Sequence, residues 1–233
     1  PAIKRLLPGQ RIEQVIRRGK YLLLQTAIGT VIMHLGMSGS LRIAQQREAV
    51  EKHDHVDIVF GQNCILRLRD PRRFGAVLWT SRSAYSHKLL RSLGPEPLSD
   101  EFNLDGLFHR SRKRTLSIKP FIMDSKTVVG VGNIYASEAL FMAGIRPTTA
   151  AGRVSRARYE RLVVAIKTVL TAAIESGGTT LKDFTNGEGK PGYFQQKLKV
   201  YGRAGEKCTI CGTHIKLIQQ AQRATYYCTR CQR

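Results

Sequence analysis

CTICGTHIKLIQQAQRATYYCTRC, residues 208–231, decides more about the fold than any other stretch. Two Cys-x-x-Cys pairs, Cys208/Cys211 and Cys228/Cys231, stand sixteen residues apart. A four-thiolate zinc site uses such pairs at a separation of about 15–20 residues. Each pair turns two sulfurs toward one point, and a hairpin between the pairs closes the tetrahedron. Two disulfides would use the same four residues. No basic-then-apolar leader is visible to favour an oxidising compartment, so one structural Zn2+ is the expectation. His214 is an alternative ligand inside the loop, expected to be a hairpin side chain. The alternating IKLI (215–218) and the β-prone ATYY (224–227) predict two strands whose tip falls near Gln222 and Arg223. A stapled ribbon with an arginine at its tip suits the gripping of phosphate.

The whole chain shares that basic character. Its 233 residues carry 38 Lys and Arg against 17 Asp and Glu, a net charge of +21. With 42% hydrophobic residues it can bury a core, which excludes a disordered basic tail. At about 100–200 residues per domain, the length allows one domain or two smaller ones. No apolar run is long enough to span a bilayer. A folded protein this basic answers to a polyanion, nucleic acid first and an anionic membrane surface second. No cationic amphipathic helix supports the second, so no membrane partner is expected.

Upstream, YLLLQT, TVIMHLGMSG, GSLRIA, HVDIVF, CILRLRD and AVLWT read as short strands between Gly, Asn and Pro breaks. Cys64 is expected to be a core thiol. LGPEPLSDEF (93–102) has two prolines and three acids and reads as a hinge. Beyond it Leu162, Ile166, Val169 and Ala173 keep helical spacing from Ser155 onward, with Leu170 and Ile174 on the same broad face and Gly177-Gly178 as the stop. NIYASEALFMAGIRP (133–147) is a shorter helix with Asn133 as cap candidate. The fold class is α+β: a β-sandwich-like region 1–93, a hinge 94–101, a helical region 102–202 and a zinc-finger hairpin 203–233.

Four further motifs carry chemistry. VVGVGNIYASEAL (128–140) brings a glycine turn to a helix N-terminus, either a plain turn or a phosphate seat using Asn133. RDPRRFGAV (69–77) projects Arg72, Arg73 and Phe74 from a loop. They are a solvated pair beside a core ring, or guanidiniums and a wedge for a duplex. RRGKYLLL (17–24) sets Lys20 ahead of an apolar strand, as a solvated charge, a proton donor or a phosphate clamp. HLGMSG (34–39) places Met37 in a turn, where an exposed Met needs something to pack on. In EKHDHVDI (51–58) a phosphate contact by His53 is favoured over a metal, because Asp54 points to the other face of a strand from His53 and His55.

The order of RRGKYLL, HLGMSGSLR, KHDHVD, RDPRRFGA, LGPEPL, VVGVGNIYASEAL, GGTTLKDF, GKPGYF, VYGR and QRATYYCTRCQR resembles the bacterial formamidopyrimidine-DNA glycosylase family from Arg17 to the C-terminus. The resemblance implies a base-excision-repair glycosylase and abasic-site lyase. Such an enzyme removes oxidised purines such as 8-oxoguanine and formamidopyrimidines from double-stranded DNA and cleaves the strand by β,δ-elimination. It implies a helix–two-turn–helix element, DNA held in a cleft, a monomer, and a cytoplasmic, nucleoid-associated location. It assigns Lys20 to proton transfer and phosphate contact, and Met37, Arg72 and Phe74 to the gap left by the flipped base. His53, Arg72 and Arg114 become DNA contacts, and Lys119 and Asn133 phosphate contacts. Arg223 is given the δ-elimination step, Cys208, Cys211, Cys228 and Cys231 the zinc, and GEGKPGYF (187–194) the loop that closes over the base.

In that family the chain begins Pro-Glu-Leu-Pro-Glu, and the proline amine is the nucleophile. An α-amine, with a pKa of about 7.7–8.0 against about 10.4 for lysine, is far more often unprotonated at neutral pH. Here Pro1 is followed by AIKRLL, with no acid before Glu13. The expectation is that the chain as given lacks the nucleophile segment and does not form the usual Schiff base. An endonuclease VIII-like pyrimidine glycosylase and a nonenzymatic damaged-DNA-binding protein are the alternatives. The Met37 turn and the Arg72–Phe74 loop favour the purine enzyme over the first.

Overall fold

The computed structural model describes residues 2–177 and 198–233. They fall into two compact units, one ending at Ser92 and the other holding Leu93–Ser176 with the residues from 198 onward.

The first unit opens with a short helix, α1 (Ala2–Leu6), and seven strands follow. These are β1 (Gln14–Arg18), β2 (Tyr21–Thr26), β3 (Gly29–His34), β4 (Ser40–Ala44), β5 (Asp54–Phe60), β6 (Cys64–Arg69) and β7 (Ala76–Thr80). They make two antiparallel sheets, ordered β1-β2-β3-β7 and β4-β6-β5. Period-two alternation sends Leu24, Val31 and Met33 from one sheet and Ile58 from the other into a shared core. Leu41, Leu66, Val77 and Trp79 pack around them, and the result is a β-sandwich. Six strands match the apolar runs in the sequence. α1 and β1 do not, because β1 is a sheet edge whose Val15 is exposed and whose sequence ends in two arginines. Cys64 is half-buried at the head of β6 rather than in the core.

The second unit contains α2 (Leu104–Ser111), α3 (Ile118–Met123), α4 (Asn133–Met142) and α5 (Arg156–Glu175). Asn103 caps α2, its Oδ1 accepting from Gly106 N at 2.9 Å. Leu162, Ile166, Val169, Leu170 and Ala173 form the buried stripe of α5, against Ile118, Ile122 and Leu140. Ile174, expected on that face, is exposed in the last turn before Gly177 at φ +71°. Gly132, not Asn133, stands at the N-cap of α4, and Asn133 is the first helical residue.

The hairpin follows as β8 (Ile215–Gln220) and β9 (Arg223–Cys228), paired Gln220 to Arg223. Its two-residue turn puts Ala221 and Gln222 at φ +45° and +60°. That twist matches the strands but lacks the usual Asn-Gly signal. Phe141, Val200, Ile215, Cys208 and Cys228 form a small core that binds the hairpin to α4. Among the described residues no helix is long and apolar enough to cross a membrane.

Candidate functional site

In the first unit three loop segments carry the singled-out residues. The turn after β3 is closed by Gly39 N donating to Leu35 O at 2.9 Å, and it leaves Met37 74% exposed. Gly36 sits there at φ +65°, and a Cβ on it would lie 2.7 Å from the backbone of Phe74. Only glycine lets this turn rest directly on the loop after β6. That loop exposes Arg72 and Phe74 side by side, the guanidinium 5.9 Å from the ring centroid. Arg72 Nε reaches Ser38 Oγ at 3.4 Å, so Met37, Arg72 and Phe74 belong to one protruding cluster. Exposed Met and Phe beside a guanidinium form a surface suited to pack against flat apolar rings under negative charge.

His53 lies on the third segment, in a turn where it takes φ +79°. Asp54 closes the turn, its carboxylate accepting from Glu51 N at 3.0 Å and from both terminal nitrogens of Arg42 at 3.0 and 2.9 Å. Burial raises the Asp54 pKa, but these hydrogen bonds and the charges of Arg42 and Arg67 outweigh it and hold the carboxyl below its ordinary value. Beneath the segment Arg67 is 1% exposed. It donates to both oxygens of Asp57 at 2.8 Å and to the carbonyls of Glu48 and Ala49.

Lys20 is exposed in the two-residue turn joining β1 to β2. His34, at the end of β3, was missed by sequence reasoning. Its Nδ1 accepts from Gly36 N at 3.0 Å, leaving the proton on Nε2. Burial first, then the charge of Lys20, lowers its pKa, so the neutral donor form prevails at pH 7.

The second unit holds a polar cluster at the start of α4. Lys119 is 1% exposed. Its Nζ donates to Asn133 Oδ1 at 2.6 Å, Ala224 O at 2.9 Å and Thr225 Oγ1 at 2.8 Å. With three protons committed, it offers a neighbouring anion its charge rather than a hydrogen bond. Asn133 Nδ2 donates to Ala224 O at 3.1 Å and faces the Tyr201 hydroxyl at 3.4 Å. Tyr201 packs on Tyr226 with ring centroids 4.9 Å apart. The segment carrying Tyr201 is fixed by Glu138 of α4, whose carboxylate accepts from the backbone N–H groups of Lys199, Val200 and Tyr201. Arg223 is exposed at the head of β9 beside this cluster, and burial first, then the charge of Arg223, brings the Lys119 pKa down to about 8. Arg114 is exposed in the loop between α2 and α3. Tyr201 and Glu138 lie in quoted motifs, but their roles were missed, since their partners lie more than sixty residues away. The segment 187–194, expected to close over a base, lies outside the described residues.

The four cysteines converge, all Sγ atoms lying within 4.8 Å of one another. Cys208 to Cys231 is 3.9 Å and Cys211 to Cys228 is 3.4 Å. These are not disulfide lengths, and a ZnS4 tetrahedron with bonds of about 2.3 Å has edges of about 3.8 Å. Hydrogen bonds from Thr213 bring the Cys211 thiol down to about 6, while burial pushes the Cys228 and Cys231 thiols up. His214 is exposed and outside the cluster. The thiol geometry fits one structural zinc, as the sequence spacing implied.

The first unit is thus a sandwich bearing an Arg-Met-Phe protrusion, and the second a helical unit that ends in a basic hairpin with four converging cysteines. Residues 1–77 match the formamidopyrimidine-DNA glycosylase N-terminal domain and 93–185 its H2TH domain. Residues 205–233 match the zinc finger found in FPG and IleRS. The chain is 57% identical over 225 residues to a formamidopyrimidine-DNA glycosylase of Idiomarina loihiensis, covering 97% of this chain and 83% of that one. A Lactococcus lactis Fpg in complex with DNA containing an abasic site superposes with a TM-score of 0.89 at 35% identity, over 99% of this chain and 85% of that one. A MutM in complex with DNA containing carbocyclic 8-oxo-G gives 0.89 at 35% identity, with the same coverage. The chain belongs to the formamidopyrimidine-DNA glycosylase family.

Proposed function

We propose that this protein acts in the excision of oxidised purines from double-stranded DNA and the β,δ-cleavage of the abasic strand, with this chain reading the damaged site and the amine nucleophile of that chemistry assigned to none of its residues. The observation that carries this reading is the joint exposure of Met37, Arg72 and Phe74 on two loops that rest on each other. Apolar side chains there can enter the space a displaced base leaves, while Arg72 satisfies the orphaned partner base. Lys20 is assigned to proton transfer and phosphate contact, and Arg223 to phosphate and the δ-step. His53, Arg114 and Asn133 are assigned to the backbone, with Lys119 adding charge beside Asn133. A monomer acting on the bacterial chromosome, in the cytoplasm and near the nucleoid, follows from the same reading.

Duplexes carrying 8-oxoguanine or thymine glycol test it. In a version that carries the family's Pro-Glu N-terminal segment, strand cleavage at 8-oxoguanine should exceed that at thymine glycol by at least about tenfold, roughly 1.4 kcal/mol. The reverse order would establish the pyrimidine enzyme. No cleavage of either, with abasic duplex still preferred over intact duplex, would establish a damaged-DNA binder.

Lys119 gives the binding a pH dependence. Its folded pKa is about 8 against 10.5 ordinarily, so the positive cluster weakens as pH rises from 7 to 9. Duplex affinity should fall by about threefold over that span, and Lys119→Met should bind more weakly with a flatter profile. The stability linkage runs the other way. Between about 8 and 10.5 the unfolded chain holds this proton and the folded one does not, so this group's contribution to stability becomes more favourable as pH rises through that window.

A further inference from the structure

Asp70 is 3% exposed although the residues that follow it, 71–74, are open to solvent. Its carboxylate Oδ2 accepts from Gly75 N at 2.7 Å, and Oδ1 accepts from Ser38 Oγ at 3.4 Å. Its own N–H donates to His53 O at 2.9 Å. Its carbonyl accepts from Arg73 N at 3.2 Å and lies 3.0 Å from His55 Nε2. One residue therefore ties together the Met37 turn, the loop of Arg72 and Phe74, and the turn of His53. A Cβ at Gly75 would meet Asp70 Oδ2 at 3.0 Å, so the carboxylate fits closely under the loop's closing residue.

We propose that Asp70 is a positioning residue, which presets the Met37–Arg72–Phe74 cluster for insertion at a base-free site. The inference rests on the reading above, in which that cluster meets damaged DNA. Held by two carboxylate hydrogen bonds, the two loops do not have to be ordered when DNA arrives, so the cost of ordering does not weaken binding. The effect is confined to damaged sites, because an intact duplex has no gap for the cluster to enter.

Asp70→Ala removes both carboxylate bonds. Asp70→Asn can keep the Gly75 bond with Oδ1 and turn its NH2 toward Ser38 Oγ. Ser38→Ala cuts only the link to the Met37 turn. For each variant, affinities for an intact duplex and for one with a tetrahydrofuran abasic site are measured by fluorescence anisotropy. Asp70→Ala should lose about tenfold in the abasic-to-intact ratio while intact-duplex affinity stays within about twofold. Asp70→Asn should recover most of the ratio, and Ser38→Ala should lose about threefold. An unchanged ratio in Asp70→Ala, or an equal loss on both duplexes, would overturn the proposal. If Asp70→Ala does not fold, Ser38→Ala decides by the same ratio. A wild-type chain with no preference for the abasic duplex would instead count against the function itself.

Discussion

Cys228→Ser should release the zinc and weaken duplex binding by about a hundredfold. Cys228 is fully buried between the hairpin and α4, in the core with Phe141 and Val200. Its removal takes away one of four thiolates whose metal is worth about 10–16 kcal/mol in isolated zinc-finger peptides. The sixteen residues between the pairs then lose their closure, and with them the placement of Ala224 and Thr225. Those two residues accept two of the three Lys119 hydrogen bonds, and Ala224 O also accepts from Asn133. Unfolding the hairpin therefore removes Arg223 and disperses the cluster beneath it. Three lost phosphate-directed groups at about 1 kcal/mol each correspond to the hundredfold figure. Zinc content measured with a chromogenic chelator and duplex affinity should fall together. Full affinity without zinc would show that the hairpin contributes nothing to binding.

Arg67→Ala should destabilise the first unit by about 3 kcal/mol, read as a lower thermal midpoint of a cooperative transition. The guanidinium is buried, holds Asp57 with two hydrogen bonds and lies 3.8 Å from the Asp54 carboxylate. Truncation leaves Asp57 and two loop carbonyls without their donor. Asp54 keeps Arg42, which limits the loss. Arg67→Met fills more of the space without a charge and should cost less than alanine. The ion pairs here are also acid-labile in a defined direction. The Asp54 pKa is lower folded than unfolded, so its contribution is complete above its unfolded value of about 3.9 and fades as pH drops through the lower folded value. Equal midpoints for wild type and Arg67→Ala would show that the buried pair is energetically idle.

Much of this was legible in the chain because the signals are local. Cys-x-x-Cys spacing, apolar or alternating runs such as YLLLQT and CILRLR, and the α5 stripe each report on residues a few positions apart. The exposure of Met37 was also readable, as an apolar residue among turn formers, whereas Phe74 read equally as a core ring and is exposed. What escaped was long-range or against propensity. Lys119 reads as a surface charge, and only a partner 106 residues away makes it a buried tie. Asp70 reads as the start of a turn, while its carboxylate spans thirty-two residues to Ser38. Glu138 looks like an ordinary helix carboxylate until the chain returns to it at 199–201. The left-handed Ala221–Gln222 turn is imposed by strand pairing and the thiolate cluster, not by its own residues.

In the proposed function Met37, Arg72 and Phe74 read missing bases in a duplex. That role is tested most directly by competing an intact duplex against the same duplex with one tetrahydrofuran site, for the wild-type chain and for Phe74→Ala. Wild type should prefer the abasic duplex by at least about tenfold, and Phe74→Ala should lose most of that preference. Equal affinity of the wild type for the two duplexes would contradict that role.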